Sequence, residues 1–283
     1  MKKLSVAAGV VLALSAGSAF AADLPSVKAA PVVAPPAFSW TGLYGGINAG
    51  YGFSNGNLQG GSVNEIPSNR LVARWDGTQA VNGVIGGFQI GYNYQVNPLF
   101  VVGVEADIQG TGMNSSRNYT PYGIGYPGDR ISVQASNSLD WFGTARARVG
   151  VTVPGYSNFL VYGTGGFAYG RVSNNVSFAD FWANSSANGY SGRSNYFNTN
   201  VGWTAGGGVE WSPLSFPSWS FKAEYLYTDL GSVKQTITSN YTTVPGTGFV
   251  GNQSSPTAFH SIRAGVNWHF NPFAASAPVL AKY

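Results

Sequence analysis

Residues 139–153 read Leu-Asp-Trp-Phe-Gly-Thr-Ala-Arg-Ala-Arg-Val-Gly-Val-Thr-Val. One parity, from Leu139 through Trp141, Gly143, Ala145, Ala147, Val149 and Val151 to Val153, is apolar or small. The other holds Asp140, Phe142, Thr144, Arg146, Arg148, Gly150 and Thr152. Successive side chains of a strand point to opposite faces, so this stretch predicts a strand with one apolar and one polar face. The same alternation marks 99–110, where Phe100, Val102, Val104, Ala106 and Ile108 oppose Gly103, Glu105, Asp107 and Gln109. It marks 200–211 and 257–270, and also 40–53, 81–95, 159–172 and 219–230. Eight strands result, each longer than the ~9–11 residues that cross a bilayer at a tilt.

The intervals between these strands alternate in length. Residues 54–80, 111–138, 173–199 and 231–256 make long connections of 27, 28, 27 and 26 residues. Residues 96–98, 154–158 and 212–218 make short ones of 3, 5 and 7. Long loops at one end and tight turns at the other predict an all-β, eight-stranded antiparallel up-and-down transmembrane β-barrel over 40–270. The long connections are rich in Asn, Ser, Gly and Tyr and are read as loops without regular structure.

Composition separates this barrel from a soluble one. Charged residues are 9% of 283, against roughly 25% in soluble domains. A soluble ligand-binding barrel would carry that charge outside and its apolar face inside. Here the strand charges share the glycine-rich face, and aromatics gather near strand ends on the apolar face. Trp40, Tyr94, Phe100, Trp211, Trp219 and Trp268 fall toward the short turns, and Tyr51, Phe53, Trp141, Trp203 and Tyr227 toward the long loops. Two belts of amphipathic rings at the headgroup levels predict that this face meets lipid.

The chain ahead of the barrel reads as processing sequence. Lys2 and Lys3 precede a short apolar run, Leu4–Leu14, and Ala19-Phe20-Ala21 is a small-x-small cleavage site. Residues 1–21 are therefore expected to be a cleaved signal peptide. Residues 22–39, with Pro25, Pro31, Pro35 and Pro36, form a Pro-rich periplasmic linker, and 271–283 a C-terminal tail. Without Lys2 and Lys3 the chain holds 13 basic and 11 acidic side chains, a balance unlike that of a nucleic-acid binder. The absence of cysteine excludes disulfides, thiol catalysis and thiolate metal sites.

The candidate site is the lumen. Glu105, Asp107, Glu210 and Glu224 face inward with Arg146, Arg148, Lys222 and Arg263, four charges of each sign. The interior of an eight-stranded barrel is about wide enough for side chains alone, and a buried charge must be paired. The expected partners are Glu224 with Arg263, Glu105 and Asp107 with Arg146 and Arg148, and Lys222 with Glu210. Tyr44 and Tyr162 narrow the lumen further. A narrow porin-like channel for ions or small solutes is the alternative reading.

Chemistry-bearing motifs are few. His260 and His269 lie nine residues apart on one strand, face opposite ways and hold no common metal. His260-Ser261 looks like a fragment of a lipid-A deacylase site, but adjacent strand residues point apart and share a proton poorly. Gly163-Thr164-Gly165-Gly166-Phe167-Ala168 matches a dinucleotide fingerprint, which requires a following helix; a strand follows. No catalytic residue, metal or cofactor is assigned. Rim and loop bases (Arg70, Arg74, Arg117, Arg130, Arg171, Arg193 and Lys234) are candidates for contact with lipopolysaccharide phosphates, diluted by Glu65, Asp76, Asp129 and Asp180.

Three segments together resemble the small outer-membrane immunogenic barrels of Gram-negative bacteria, related to opacity-type and OmpA-like membrane domains. They are Ala22-Asp23-Leu24-Pro25, Trp40-Thr41-Gly42-Leu43-Tyr44-Gly45-Gly46, and Arg263-Ala264-Gly265-Val266-Asn267-Trp268-His269-Phe270. The resemblance implies a non-enzymatic, surface-exposed envelope protein of the outer membrane. It implies partners in outer-membrane lipid, lipopolysaccharide, periplasmic chaperones and the barrel-assembly machinery, with Gly265, Trp268 and Phe270 in the positions that machinery reads. The tail 271–283 departs from the pattern, since many such barrels stop at the terminal aromatic. No external loop partner is implied.

Overall fold

The computed structural model describes residues 38–123, 130–181, 191–240 and 248–270. The expected signal peptide, nearly all of the expected linker and the tail lie outside these residues. The described strands are β1 (Gly42–Phe53), β2 (Asn57–Ile66), β3 (Leu71–Gln79), β4 (Gly83–Gln95), β5 (Phe100–Tyr119), β6 (Tyr122–Gly123), β7 (Arg130–Val153), β8 (Tyr156–Phe181), β9 (Ser191–Trp211), β10 (Trp219–Asn240) and β11 (Gly248–Phe270). Eight of them close a ring in the order β1-β4-β5-β7-β8-β9-β10-β11, sealed by antiparallel pairing of β1 with β11 from Leu43↔Phe270 to Phe53↔His260. Closure leaves no edge strand in this half of the molecule.

The turns at the short end follow from local chemistry. Val153 and Tyr156 flank Pro154-Gly155, with Gly155 at φ 83°, a conformation that glycine adopts without strain. Asn97 Oδ1 accepts from the backbone N–H groups of Leu99 and Phe100 at 2.9 and 2.8 Å, which turns the chain from β4 into β5.

The strand count exceeds the eight expected, and the long connections are not plain loops. β5, β7, β8, β9, β10 and β11 run far beyond the alternating segments, and 54–80 forms the hairpin β2–β3. β11 pairs with β1 through His260–Phe270 and with β2 through Gly248–Ser254. The hairpin thus replaces β1 and β4 in an upper half, at the long-loop end, stacked on the closed lower half.

The two halves have opposite polarity. In the lower half the apolar parity faces outward: Ile47 is 60% exposed, Phe88 69% and Trp203 51%. Its polar parity faces inward, with Arg146 and Glu224 each 3% exposed. In the upper half Ile131, Val133 and Ala135 are buried, while Ser132 and Gln134 are exposed. Bulges effect the change of phase. β7 carries an extra residue, Asp140, against β8, and β10 is bulged between Asp229 and Ser232, where Gly231 has φ 76°. Even residues of β7 and β10 face inward below the bulges and odd ones above. Leu139, assigned by parity to the outer face, is therefore buried, and Asp140 turns outward to meet Arg171 at 3.6 Å.

Candidate functional site: a lumen filled in layers

The lowest layer is apolar. Trp40, Val101, Leu160 and Tyr162 are buried together, with Phe38 packed against them. Trp40 sits just before β1 and is fully buried, so it does not belong to the lipid-facing belt to which the sequence reading assigned it. Its indole N–H donates to the Ser157 carbonyl at 2.9 Å, and the Gln95 side chain caps its backbone N–H at 3.0 Å. An indole can be buried at this place because its single donor stays satisfied.

Above it lies the ionic layer. Arg146 reaches Glu105 at 2.5 Å, Asp107 at 2.9 Å and Glu224 at 2.9 Å. Arg148 reaches Glu210 at 2.8 Å and Glu105 at 3.3 Å. Arg263 pairs with Glu224, its register partner, and with Asp107 at 3.4 Å. Lys222 is in register with Glu210, yet its ammonium pairs with Glu105 at 2.8 Å, four strands away across the lumen. That corrects the expected Lys222–Glu210 pair. Arg148 occupies Glu210 instead, and the lumen is narrow enough for lysine to span it.

Neutral groups complete the layer. Tyr44 donates to Glu105 at 2.7 Å and accepts from Arg148 at 2.6 Å. Thr144 donates to Asp107 at 2.7 Å, and Ser220 and Asn267 donate to Glu210 at 2.6 and 2.8 Å. His269 Nε2 lies 2.8 Å from Ser220 Oγ. His269 Nε2 also lies 3.6 Å from Glu210, and Ser220, Asn267 and His269, none of them among the expected partners, each share the inward parity of their strand. Charge-assisted bonds of this kind are roughly twice as strong as neutral ones, and here they hold every lumen carboxylate.

A second apolar layer covers the ions. Phe142 and Phe259 meet edge to face at 5.2 Å, among Ile85, Met113, Leu139, Ala168, Val172, Leu230 and Val233. Amides follow: Asn137 donates to Gln79 at 3.2 Å and to Ser255 at 3.4 Å, and Gln253 to Gln59 at 3.4 Å. A third apolar layer then fills the upper half with Val63, Val72, Trp75, Tyr119, Ile131, Val133, Val176, Phe178 and Ile237.

On the outer wall, Trp268 meets Trp219 edge to face at 4.7 Å, and Phe270 is also exposed. Gly265 turns inward, where an added Cβ would crowd Gln89, Asn48 and the Ile47 carbonyl. His260 faces outward, with Tyr225 Oη 2.6 Å from its Nδ1, while Ser261 is buried in the lumen. Gly163–Ala168 lies within β8. Among the described residues, no cluster of three or more His, Asp or Glu is arranged to hold a metal. Of the rim bases, Arg70 pairs with Glu65 at 3.4 Å, Arg117 contacts the Thr78 carbonyl, and Arg193 bonds Asn195 at 3.2 Å. Arg74 and Lys234 line one outer cleft, and the Arg130 side chain lies outside the described residues.

Residues 9–270 match the outer membrane protein beta-barrel domain family. The chain is 35% identical over 268 residues to the 31 kDa outer-membrane immunogenic protein of Brucella melitensis, covering 94% of this chain and 99% of that one. It is 30% identical over 215 residues to the 25 kDa outer-membrane immunogenic protein of Brucella canis, covering 74% and 76%. The outer membrane protein OprG of Pseudomonas aeruginosa is similar in structure at 14% identity, with a TM-score of 0.42 over 81% of this chain and 97% of that one. A closed antiparallel ring with an apolar outer wall, matched over nearly its whole length, places the chain in the outer membrane protein beta-barrel domain family and in the cell outer membrane.

Proposed function

We propose that this chain is a closed, non-enzymatic barrel that reinforces the outer membrane and carries its upper half above the lipid. The observation supporting this is the filling of the lumen: three apolar layers alternate with an ionic and an amide layer. Water-filled passage would require these layers to part. The opposite orientations of His260 and Ser261 support a role without catalysis. On this reading residues 1–21 are removed as a signal peptide. Chaperones and the barrel-assembly machinery deliver the chain, reading Gly265, Trp268 and Phe270, and the wall meets lipid and lipopolysaccharide.

The test is genetic. A strain lacking the protein should leak periplasmic enzymes and become sensitive to detergent. Wild type and the double variant His260→Ala/Ser261→Ala should both restore the envelope, with lipid A unchanged in mass. Restoration by wild type but not by the folded double variant, with altered lipid A, would instead support an enzyme.

A further inference from the structure

The outer face of the upper half carries a cleft of about 870 Å³ across β10, β11, β2 and β3. Backbone register builds it in rows. Lys234, Ser254, Gly60 and Asp76 lie side by side, and Asn252, Ser62 and Arg74 lie in the next row. Its floor is therefore hydroxyl, amide and bare backbone, with a cation on each flank. Among the described residues neither Arg74, Lys234 nor Asp76 has an ion-pair partner. Elsewhere on the rim Arg70 and Arg171 are paired with Glu65 and Asp140.

The glycines of the floor differ. At Gly61 an added Cβ would collide with the Trp75 ring and the Asn252 carbonyl, so packing requires glycine there. At Gly60 it would meet the Trp75 carbonyl at 3.5 Å and Asp76 Cβ at 4.0 Å, ordinary contacts, and no positive φ is involved. The strand would gain from a side chain at Gly60. What glycine preserves at that position is the depth of the cleft.

Height selects the occupant. Tyr225, Tyr227 and His260 mark the upper aromatic level on the same outward faces of β10 and β11. Lys234 stands seven residues beyond Tyr227, one of them taken up by the bulge, and six along the partner strand from His260 to Ser254, about 20 Å of strand and roughly 15 Å of height at a ~40° tilt. A phospholipid phosphate sits at the aromatic level, too low to reach it. A lipid bearing a phosphorylated oligosaccharide reaches this height and offers what the cleft lacks: phosphate for Arg74 and Lys234, and hydroxyls for Ser62, Ser254 and Asp76.

We infer that this cleft binds the phosphorylated saccharide headgroup of an outer-leaflet glycolipid, clamping it between Arg74 and Lys234 over Gly60. The inference rests on the proposed contact of the wall with lipopolysaccharide and assigns that contact to one site. The experiment uses the full barrel in detergent micelles and three probes: rough lipopolysaccharide with phosphorylated core sugars, the same material dephosphorylated, and phosphatidylethanolamine. Wild type should bind the first at least about tenfold more tightly than the second. Arg74→Ala/Lys234→Ala should lose that preference, and Gly60→Phe should abolish saccharide binding by filling the floor. All variants should keep the heat-dependent gel shift of a folded barrel. Folded variants that bind the phosphorylated probe like wild type would overturn the site. Wild type that binds all three probes alike would do the same. Neither result would touch the closed lumen or the envelope phenotype, which are measured separately.

Discussion

Phe142 and Phe259 meet edge to face at 5.2 Å directly above the ionic layer, one from β7 and one from β11. The contact crosses the lumen and joins strands that do not pair. Truncating either ring to alanine should lower stability by about 3–5 kcal/mol, from lost burial and an unfilled cavity. The double variant should cost less than the sum, with a coupling of about 0.5–1.5 kcal/mol. Urea unfolding in lipid vesicles provides the measurement, and full additivity would mean that the rings do not pack as described.

Glu224 and Arg263 face each other in register and are buried. Replacing Glu224 alone with glutamine removes one charge and leaves Arg263 with Asp107. Replacing Arg263 alone with methionine leaves Glu224 with Arg146. Each single change should destabilise by about 3–5 kcal/mol, because a buried charge loses compensation, whereas the joint change should recover much of that loss. A double variant as unstable as the two singles combined would show that the pair is not coupled.

Trp40 and Trp268 stand near the same end of the barrel but in opposite environments, one fully buried and one on the outer wall. In variants retaining a single tryptophan, brominated lipids should quench Trp268 strongly and Trp40 weakly. Equal quenching would return Trp40 to the lipid-facing belt.

Gly231 holds φ 76° in the β10 bulge. Gly231→Val should cost about 1–2 kcal/mol or more, since a β-branched residue fits this conformation poorly. Gly163, which lies in the regular part of β8 and whose added Cβ would meet only the Gly206 carbonyl at 3.9 Å, an ordinary contact, should accept alanine with little change. Parallel unfolding curves compare the two.

The lower half was legible because lipid and lumen impose opposite chemistry on alternate residues. Arg146 and Arg148 against Val149 and Val151 leave one workable orientation. The upper half was not read as strand, although Ile131, Val133 and Ala135 alternate with Ser132, Gln134 and Ser136 just as regularly. Its polarity is reversed, and the phase jump at Asp140 hides continuity with the strand below. A bulge depends on the partner strand, so no local pattern announces it. Trp40 was misassigned on its aromatic character and its place at a strand end, although its even number gives it the inward parity of Tyr44 and Asn48. Register placed Lys222 beside Glu210, but a long side chain in a narrow lumen answers to the far wall as well. Ser220, Asn267 and His269 carry the right parity, and the register of β9, β10 and β11, which the sequence alone does not give, brings them to Glu210.

Single-channel recording in planar bilayers tests most directly whether the layers close the lumen. Refolded wild-type protein, verified as a folded barrel by its gel shift, should insert and remain silent under applied voltage. Discrete, reproducible conductance steps from that same protein would contradict the closed lumen.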